Sequence, residues 1–238
     1  VESKEKNKSQ KQAAVLNLSN VYQNTGRIDQ AIELLEKTIQ KEKLTNAQKG
    51  LLYNNLGSNY FLNTRATKMK SYAFENAEKA FLKAVLLLER EPSQHEALTN
   101  SYRNLCKLNL ERKNKQMALH YFEKAKHTFE KIPNPNPRKK AQFYFDEANM
   151  LFKQREITAS SLAIERVFKT LIPAYSSAKT VLPNQSALYA ETILLDVLDL
   201  QAELFLAQSQ PKKALESYAL AFHIEALFQS LLVYENSK

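Results

Sequence analysis

The sequence predicts an all-α protein of about five helical hairpins that stack into a right-handed superhelical solenoid. Three observations lead to this fold class: few turn-forming residues, apolar residues at helical spacing, and recurrence of one hairpin pattern along the chain. The 238 residues include only 3 Gly and 7 Pro. A strand-rich fold that turns every ~8–12 residues would need more of both.

The recurring unit is a run of apolar residues three and four apart, a turn, and a second run at the same spacing. In the first copy the runs are Val15, Leu18 and Tyr22, then Ala31, Leu35 and Thr38, with Gly26 at the turn. The later copies are Tyr53, Leu56, Gly57 and Tyr60 with Ala77, Phe81 and Ala84; Tyr102, Leu105 and Cys106 with Ala118, Phe122 and Ala125; Tyr144, Ala148 and Leu151 with Ile164 and Val167; and Leu198, Ala202 and Phe205 with Ala214, Tyr218 and Ala221. Each copy predicts one helical hairpin.

Small residues recur where the two helices of a hairpin would cross. Close helix crossings require a small residue at the contact and a large apolar side chain in the adjacent groove. The predicted small residues of the first helices are Ser19, Gly57, Cys106, Ala148 and Ala202, and those that open the second helices are Ala31, Ala77, Ala118 and Ala214. We therefore expect these side chains to be buried.

With these residues the chain resembles the tetratricopeptide repeat (TPR) family. This resemblance implies a scaffold that holds a partner protein. The copies depart from the family in length, because Ala31, Ala77 and Ala118 are 46 and 41 residues apart instead of about 34. The second copy carries extra residues between its helices, Asn63 to Tyr72. The fourth copy lacks a clear small–large–small triplet in its second helix.

Helix-end signals support the hairpins. Ser93 to Glu96 predicts a capping box, and Thr45 to Gln48 predicts a weaker one. Pro211 suits the first turn of a helix. Pro173 and Pro183 would bracket a short helix, Ala174 to Leu182.

We expect one TPR-like solenoid over residues 1–238. It would comprise a basic tail (1–12), regular repeats (13–132), a Pro-rich linker (133–140) and degenerate repeats (141–238). The chain begins with Val1 instead of Met, and its last helical pattern reaches Lys238 without a stop signal. We therefore expect it to be a segment of a larger protein.

The net charge of +9 is unevenly distributed. Residues 1–138 carry a net +10 and residues 139–238 a net −1. The basic half leaves RNA binding open as an alternative, with the 11 Tyr and 12 Phe as candidate stacking residues. Repeat-core spacing argues that the aromatic residues pack inside instead, as at Tyr22, Tyr60, Phe81, Tyr102, Phe122 and Tyr218.

No feature of the sequence indicates catalysis, a metal site or a cofactor. Cys106 falls where a hairpin needs a small buried residue, so we predict a packing role for it. His95, His120, His127 and His223 lie on separate turns without further ligands at metal-binding spacing. Nucleotide-binding glycine loops and nucleophile elbows do not occur. The sequence lacks a membrane span or a secretory signal, so we expect a cytoplasmic, non-catalytic protein.

The predicted binding site is the inward face of the first helices. Its six candidate residues are Asn20, Asn54, Ser58, Arg103, Lys107 and Asn149. Asparagine can hold a peptide backbone through paired donor and acceptor, and Arg103 with Lys107 could meet a carboxylate. These residues could equally be solvated surface positions. The fifth copy instead presents Asp196, Asp199 and Glu203, so the face would grade from basic to acidic.

The C-terminal third resembles the TPR region that precedes caspase-like CHAT domains in large bacterial proteins. Two segments carry this resemblance, Leu188 to Glu203 and Lys213 to Tyr218. It implies a regulatory arm that docks a neighbouring protease domain, and no residue here matches that protease's His and Cys dyad. The predicted partner is therefore a protein or peptide, with a C-terminal domain of the same protein as one form of it and RNA as the alternative.

Overall fold

The computed structural model describes the backbone of residues 2–66, 70–91, 93–176 and 181–236, and side chains of 10–64, 71–91, 93–176 and 181–231. Within these ranges the chain is all-helical, which confirms the predicted fold class. The α-helices are α1 (Glu2–Asn24), α2 (Ile28–Lys41), α3 (Asn46–Ala66), α4 (Lys70–Leu88), α5 (His95–Glu111), α6 (Lys115–Phe129), α7 (Pro137–Lys153), α8 (Ile157–Leu171), α9 (Thr192–Ala207) and α10 (Pro211–Asn236).

The helices pair in chain order as five hairpins: α1 with α2, α3 with α4, α5 with α6, α7 with α8, and α9 with α10. Two compact units contain them. Val1–Pro133 holds the first three hairpins, and Asn134–Lys238 holds the last two. Within each unit, the second helix of a hairpin packs on the first helix of the next, as α2 does on α3, α4 on α5 and α8 on α9.

The predicted small residues lie at the hairpin crossings. Ser19, Gly57, Cys106, Ala148 and Ala202 are all buried, as are Ala31, Ala77, Ala118 and Ala214. A Cβ atom added to Gly57 would lie 2.6 Å from Cδ1 and Cε1 of Phe81. The ring of the second helix therefore fills the space that the missing side chain leaves, as ridge-and-groove packing requires.

The fourth hairpin is regular, although its triplet is not evident from sequence. Ser160 occupies the position that alanine holds in the other second helices, and it is fully buried. Its hydroxyl donates a 2.8 Å hydrogen bond to the carbonyl oxygen of Ala148. Serine satisfies the need for a small residue, and this bond satisfies its polar group.

Four hairpins share one turn geometry. A residue with positive φ lies five positions before the small residue of the second helix, at Gly26 (75°), Lys113 (59°), Arg155 (68°) and Ser209 (58°). The following N–H donates to a carbonyl of the first helix over 2.8–2.9 Å, as Glu156 does to Leu151. This is the left-handed C-terminal cap that glycine adopts without strain.

Of the two predicted capping boxes, the one predicted as weaker forms and the other does not. Thr45 and Gln48 form a complete box, with Thr45 N donating to Gln48 Oε1 (3.0 Å) and Gln48 N donating to Thr45 Oγ1 (3.2 Å). The box predicted from Ser93 is wrong. Helix α5 begins at His95 with Gln94 as its N-cap residue and no side-chain cap hydrogen bond, so Ser93 lies one residue too early.

The connecting segments differ from the predictions at several points. Residues 2–12, predicted as a tail, belong to α1, and the predicted linker shortens because α7 begins at Pro137. Pro211 does begin α10. The helix predicted for Ala174 to Leu182 is absent at both of its described ends, because residues 174–176 and 181–182 are not helical. Residues 67–69 and 177–180 lie outside the described residues.

Most of the predicted aromatic core is buried. Phe81, Phe122 and Tyr102 expose 4% or less of their surface, and Tyr22 and Tyr60 are partly buried. The prediction for Tyr218 is wrong, because this side chain is 40% exposed.

Candidate functional site

The first helices of the N-terminal unit, α1, α3 and α5, lie side by side, and α3 meets α5 through polar side chains. Asn54 Oδ1 accepts hydrogen bonds from Ser101 Oγ and Asn104 Nδ2, both 3.1 Å long. Asn104 Nδ2 also reaches Ser58 Oγ at 3.4 Å. We call these four residues, Asn54, Ser58, Ser101 and Asn104, the amide ladder.

The ladder forms because helical spacing places its members on facing sides of two helices. Asn54 and Ser58 are four residues apart on α3, and Ser101 and Asn104 are three apart on α5. Ser101 is fully buried, and the other three are partly buried. Buried polar groups must be hydrogen-bonded, so each side of the ladder satisfies the other.

Two cations lie beside the ladder on α5. Arg103 and Lys107 are one turn apart and partly buried, and Arg103 Nη1 donates to Asn100 Oδ1 over 2.9 Å. Arg103 directly precedes Asn104 in the chain. Two cationic side chains, both hydrogen-bond donors, therefore stand next to the ladder.

The remaining two predicted residues lie apart from the ladder. Asn20 is exposed on α1. Asn149 belongs to α7 of the C-terminal unit, where its Nδ2 donates to the carbonyl of Phe145 over 3.1 Å. The structure thus brings Asn54 and Ser58 into one hydrogen-bonded group and keeps Asn149 in a separate unit. Sequence reasoning missed Ser101 and Asn104. The one sequence signal for Asn104 was its position directly after the predicted site residue Arg103.

A second repeated feature lies between the helices of each hairpin. In three copies, the tyrosine four residues before the first-helix small residue is covered by a cation from the second helix. The pairs, with distances from cation to ring centre, are Lys83 on Tyr53 (5.2 Å), Lys124 on Tyr102 (5.4 Å) and Arg166 on Tyr144 (4.8 Å). One cation of each of these second helices therefore contributes to hairpin packing through a cation–π contact.

Two of the tyrosines in the N-terminal unit donate hydrogen bonds to carboxylates. Tyr60 donates to Glu36, and Tyr102 donates to Glu89. Burial, followed by the hydrogen bond and charge of the carboxylate, raises the pKa of both hydroxyls well above the ordinary value of 10. These hydroxyls are therefore neutral hydrogen-bond donors at neutral pH.

Three histidines converge on one cleft between α4, α5 and α6. His95, His120 and His127 line this cleft, which has a volume of about 520 Å³, together with Glu91 and Glu123. No group of three or more His, Cys, Asp or Glu side chains in the described residues is arranged to hold a metal ion. Cys106 is 4% exposed at a hairpin crossing.

The acidic residues predicted on the first helix of the fifth hairpin, α9, are exposed. Asp196, Asp199 and Glu203 lie along α9 at spacings of three and four residues.

None of the helices within the described residues is long and apolar enough to cross a bilayer.

Neither a protein-family model nor a curated protein matches the chain. Solved structures do match it. BtubC (BKLC) from P. vanneervenii aligns with a TM-score of 0.65 and 13% identity, covering 90% of this chain and 80% of that one. A kinesin light chain with nearly identical TPR-like repeats from Podosopora anserina aligns with a TM-score of 0.60 and 17% identity, covering 91% and 96%. MamA RS-1 aligns with a TM-score of 0.51 and 13% identity, covering 92% and 97%.

At these identities the matches establish the fold. The chain has the TPR-like architecture of helical hairpins that its repeat pattern predicted. The resemblance to the region preceding CHAT domains has no counterpart among these structures and stays a prediction.

Proposed function

We propose that this chain is a non-catalytic docking module that binds an extended peptide of a partner protein on the first-helix face of its N-terminal unit, along α1, α3 and α5. The amide ladder is the observation that carries this proposal. A TPR-like fold supports protein docking in general, and the ladder supports a particular place for it.

The ladder offers a peptide backbone one hydrogen-bond donor and one acceptor. Its internal hydrogen bonds use the Asn54 oxygen and the Asn104 nitrogen. The Asn54 nitrogen and Asn104 oxygen are thus available as one donor and one acceptor, the pair that a backbone amide matches. Because the neighbouring helix already orients both amides, binding would cost little side-chain entropy.

The charge next to the ladder selects the side chains of the partner. Arg103 and Lys107 add cationic donors one helical turn apart, which suit a carboxylate from an acidic side chain. We therefore expect acidic residues in the bound peptide. Asn20 extends the same face onto α1, and Asn149 with the acidic residues of α9 would form a separate contact region on the C-terminal unit.

The test is a selection of peptides from a random display library on the immobilised chain, followed by affinity measurements with the enriched peptides. Asn54→Ala and Arg103→Glu should each weaken binding at least tenfold, because they remove a backbone contact and reverse a contact charge. Lys126→Glu on α6 is the matched control, since it makes the same charge change on an exposed second-helix position.

The result can contradict the proposal directly. Enriched peptides that bind Asn54→Ala and Arg103→Glu as tightly as the wild type would exclude this face. Circular dichroism of each variant establishes that helicity is retained.

RNA binding is the second candidate, because residues 1–138 carry a net charge of +10. Binding to RNA would weaken steeply with added salt, whereas peptide docking would change modestly. Fluorescence titration with a single-stranded RNA at low and moderate salt separates the two. Strong binding that Arg103→Glu with Lys107→Glu abolishes for any RNA sequence would favour this candidate over docking.

A neighbouring domain of the same protein is the third candidate partner, and the resemblance of the C-terminal third to the region preceding CHAT proteases supports it. A CHAT domain supplied as a separate chain would then co-purify with this one. Failure to co-purify would exclude that partner and leave peptide docking in place.

A further inference from the structure

A cleft with a volume of about 330 Å³ lies inside the C-terminal unit, between α8, α9 and the start of α10. Phe168, Phe205 and Tyr175 supply aromatic side chains to its lining, and Leu162 and Val181 supply aliphatic ones. Leu162 is 58% exposed and Val181 is 51% exposed. The apolar lining is therefore open to solvent, so an apolar group from another molecule can enter.

The N-terminal unit has two clefts in the corresponding place. Each is lined by the second helix of one hairpin and by both helices of the next. A tyrosine hydroxyl in each of these clefts donates to a carboxylate of the chain, Tyr60 to Glu36 and Tyr102 to Glu89. Such clefts are thus a property of how the hairpins stack, and in these two the tyrosine hydroxyl has its partner within the chain.

The C-terminal cleft contains a buried amide that has no such partner. Gln201 of α9 is 4% exposed, and its side chain lines the cleft. Among the described residues, none forms a hydrogen bond with this amide. Burying an amide without a hydrogen bond is costly, so unpaired ones are rare in protein interiors. A polar group that enters the cleft would supply the missing hydrogen bonds.

Packing does not require an amide at this position. Gln201 directly precedes the small residue Ala202 of its hairpin. The residues at the same place in the second and third hairpins are Leu56 and Leu105, which are 5% and 0% exposed. Leucine fills a similar volume and needs no hydrogen bond. The amide therefore weakens the core around it unless another molecule pairs with it.

We propose that this cleft binds a peptide of a partner protein, with a large apolar side chain in the cleft and a backbone amide hydrogen-bonded to Gln201. A side-chain amide offers a donor and an acceptor side by side, and a backbone amide presents the matching acceptor and donor. The site lies in a different unit from the amide ladder. It rests on Gln201 and does not depend on docking at the ladder.

A nucleobase edge can also pair with an amide, but this cleft suits a peptide better. Phe168 and Phe205 are 0% and 3% exposed, so neither ring has a free face for base stacking. Lys213 is the one cation among the described lining residues, and it already lies 5.7 Å from the centre of the Phe205 ring. Glu165 lines the same cleft. The charge there does not favour a phosphate backbone.

The test is an NMR titration of the chain with N-acetyl-leucine methylamide, a minimal peptide. The side-chain amide resonance of Gln201, identified by its loss in Gln201→Leu, should shift as the probe binds. The dissociation constant should be on the order of 1 mM, since the probe is small. N-acetylglycine methylamide should bind at least about fivefold more weakly, because it lacks the apolar side chain.

Gln201→Leu and Gln201→Met should each weaken binding of the leucine probe at least about fivefold, as read from the backbone amides of Phe205 and Val181. Both variants should also unfold at a higher urea concentration than the wild type, because each removes an unpaired buried amide. Gln229→Leu is the matched control. It makes the same change at an exposed position of α10 and should leave binding unchanged.

Three results would overturn the proposal. The first is a loss of stability in both Gln201 variants, which would give the amide a structural role. The second is a Gln201 resonance that does not shift up to the solubility limit of the leucine probe. The third is a shift caused by adenosine and not by the peptide probe, which would assign the cleft to a nucleobase.

Discussion

The crossing of α3 and α4 depends on a glycine, Gly57. Gly57 faces the ring of the fully buried Phe81, and an added Cβ would approach that ring to 2.6 Å. The other hairpins carry Ser19, Cys106, Ala148 or Ala202 at the corresponding position. Glycine is therefore a packing requirement of this one hairpin, although it normally weakens a helix.

Gly57→Ala should consequently destabilise the protein. Overpacking costs about 1–3 kcal/mol, and the gain in helix propensity offsets up to about 1 kcal/mol. Urea denaturation measures the difference. Gly57→Ala combined with Phe81→Leu should recover part of the loss, and a single variant as stable as the wild type would refute the steric account.

Tyr102 makes stability sensitive to alkaline pH. Burial raises the pKa of its hydroxyl above 10, as do the hydrogen bond and charge of Glu89. The unfolded chain therefore loses this proton first, so the contribution is complete below pH about 10 and declines as the pH rises further.

Tyr102→Phe should lower the free energy of unfolding by about 1 kcal/mol at neutral pH, since the hydrogen bond is lost. Its stability should then decline less than that of the wild type above pH about 10. The stability of the variant should still decline somewhat at alkaline pH, because burial also raises the pKa values of Tyr60 and Tyr175. Urea denaturation at a series of pH values tests this, and equal declines in both proteins would contradict it.

At the scale of the helix, the capping boxes show why a motif alone does not locate a helix end. Thr45 and Ser93 each precede a Gln or Glu by three residues. Only Thr45 holds the N-cap geometry, because α5 begins one residue later than its motif implies.

Thr45→Ala should therefore reduce the free energy of unfolding by about 0.5–2 kcal/mol, whereas Ser93→Ala should leave it nearly unchanged. Thermal denaturation of the two variants compares the sites directly. A larger effect at Ser93 would show that the Ser93 box is formed after all.

The repeated left-handed turn supplies a second prediction at this scale. Arg155 adopts a φ of 68°, and Gly26 holds the corresponding place in the first hairpin. Arg155→Gly should stabilise the protein by up to about 1 kcal/mol, since glycine avoids the left-handed strain of a side chain. Gly26→Ala should destabilise it for the same reason. Chemical denaturation measures both, and effects of the same sign would argue against this turn geometry.

At the scale of the whole molecule, stability should follow neighbour contacts along the hairpins. In such arrays each hairpin interacts with the next, so a local defect is felt most by adjacent helices. Within the N-terminal unit, α3 and α4 contact α1, α2 and α5.

Hydrogen exchange read by mass spectrometry should therefore show faster exchange in α1 to α5 of Gly57→Ala, with a smaller change in α6. Peptides from α8 to α10 of the C-terminal unit serve as the internal reference. A uniform increase over all helices of the N-terminal unit would indicate that it unfolds as one cooperative body.

Sequence reasoning selected two members of the amide ladder, Asn54 and Ser58, and missed the other two, Ser101 and Asn104. Helical periodicity placed Asn54 and Ser58 on one face, because side chains four apart share a face on any helix. It could not show that Asn104 hydrogen-bonds both of them, because Asn104 is 50 residues from Asn54 and the contact depends on how α3 and α5 cross.

By itself, the sequence determined the all-helical class, the five hairpins and their small crossing residues, since spacing and residue size act locally or within one hairpin. Tertiary structure alone decided which capping box forms, how the amide ladder connects α3 to α5, and that Tyr218 is exposed while Phe81 is buried. These properties depend on which helix lies against which. Side chains identical in spacing become core or surface according to whether a neighbouring helix covers them.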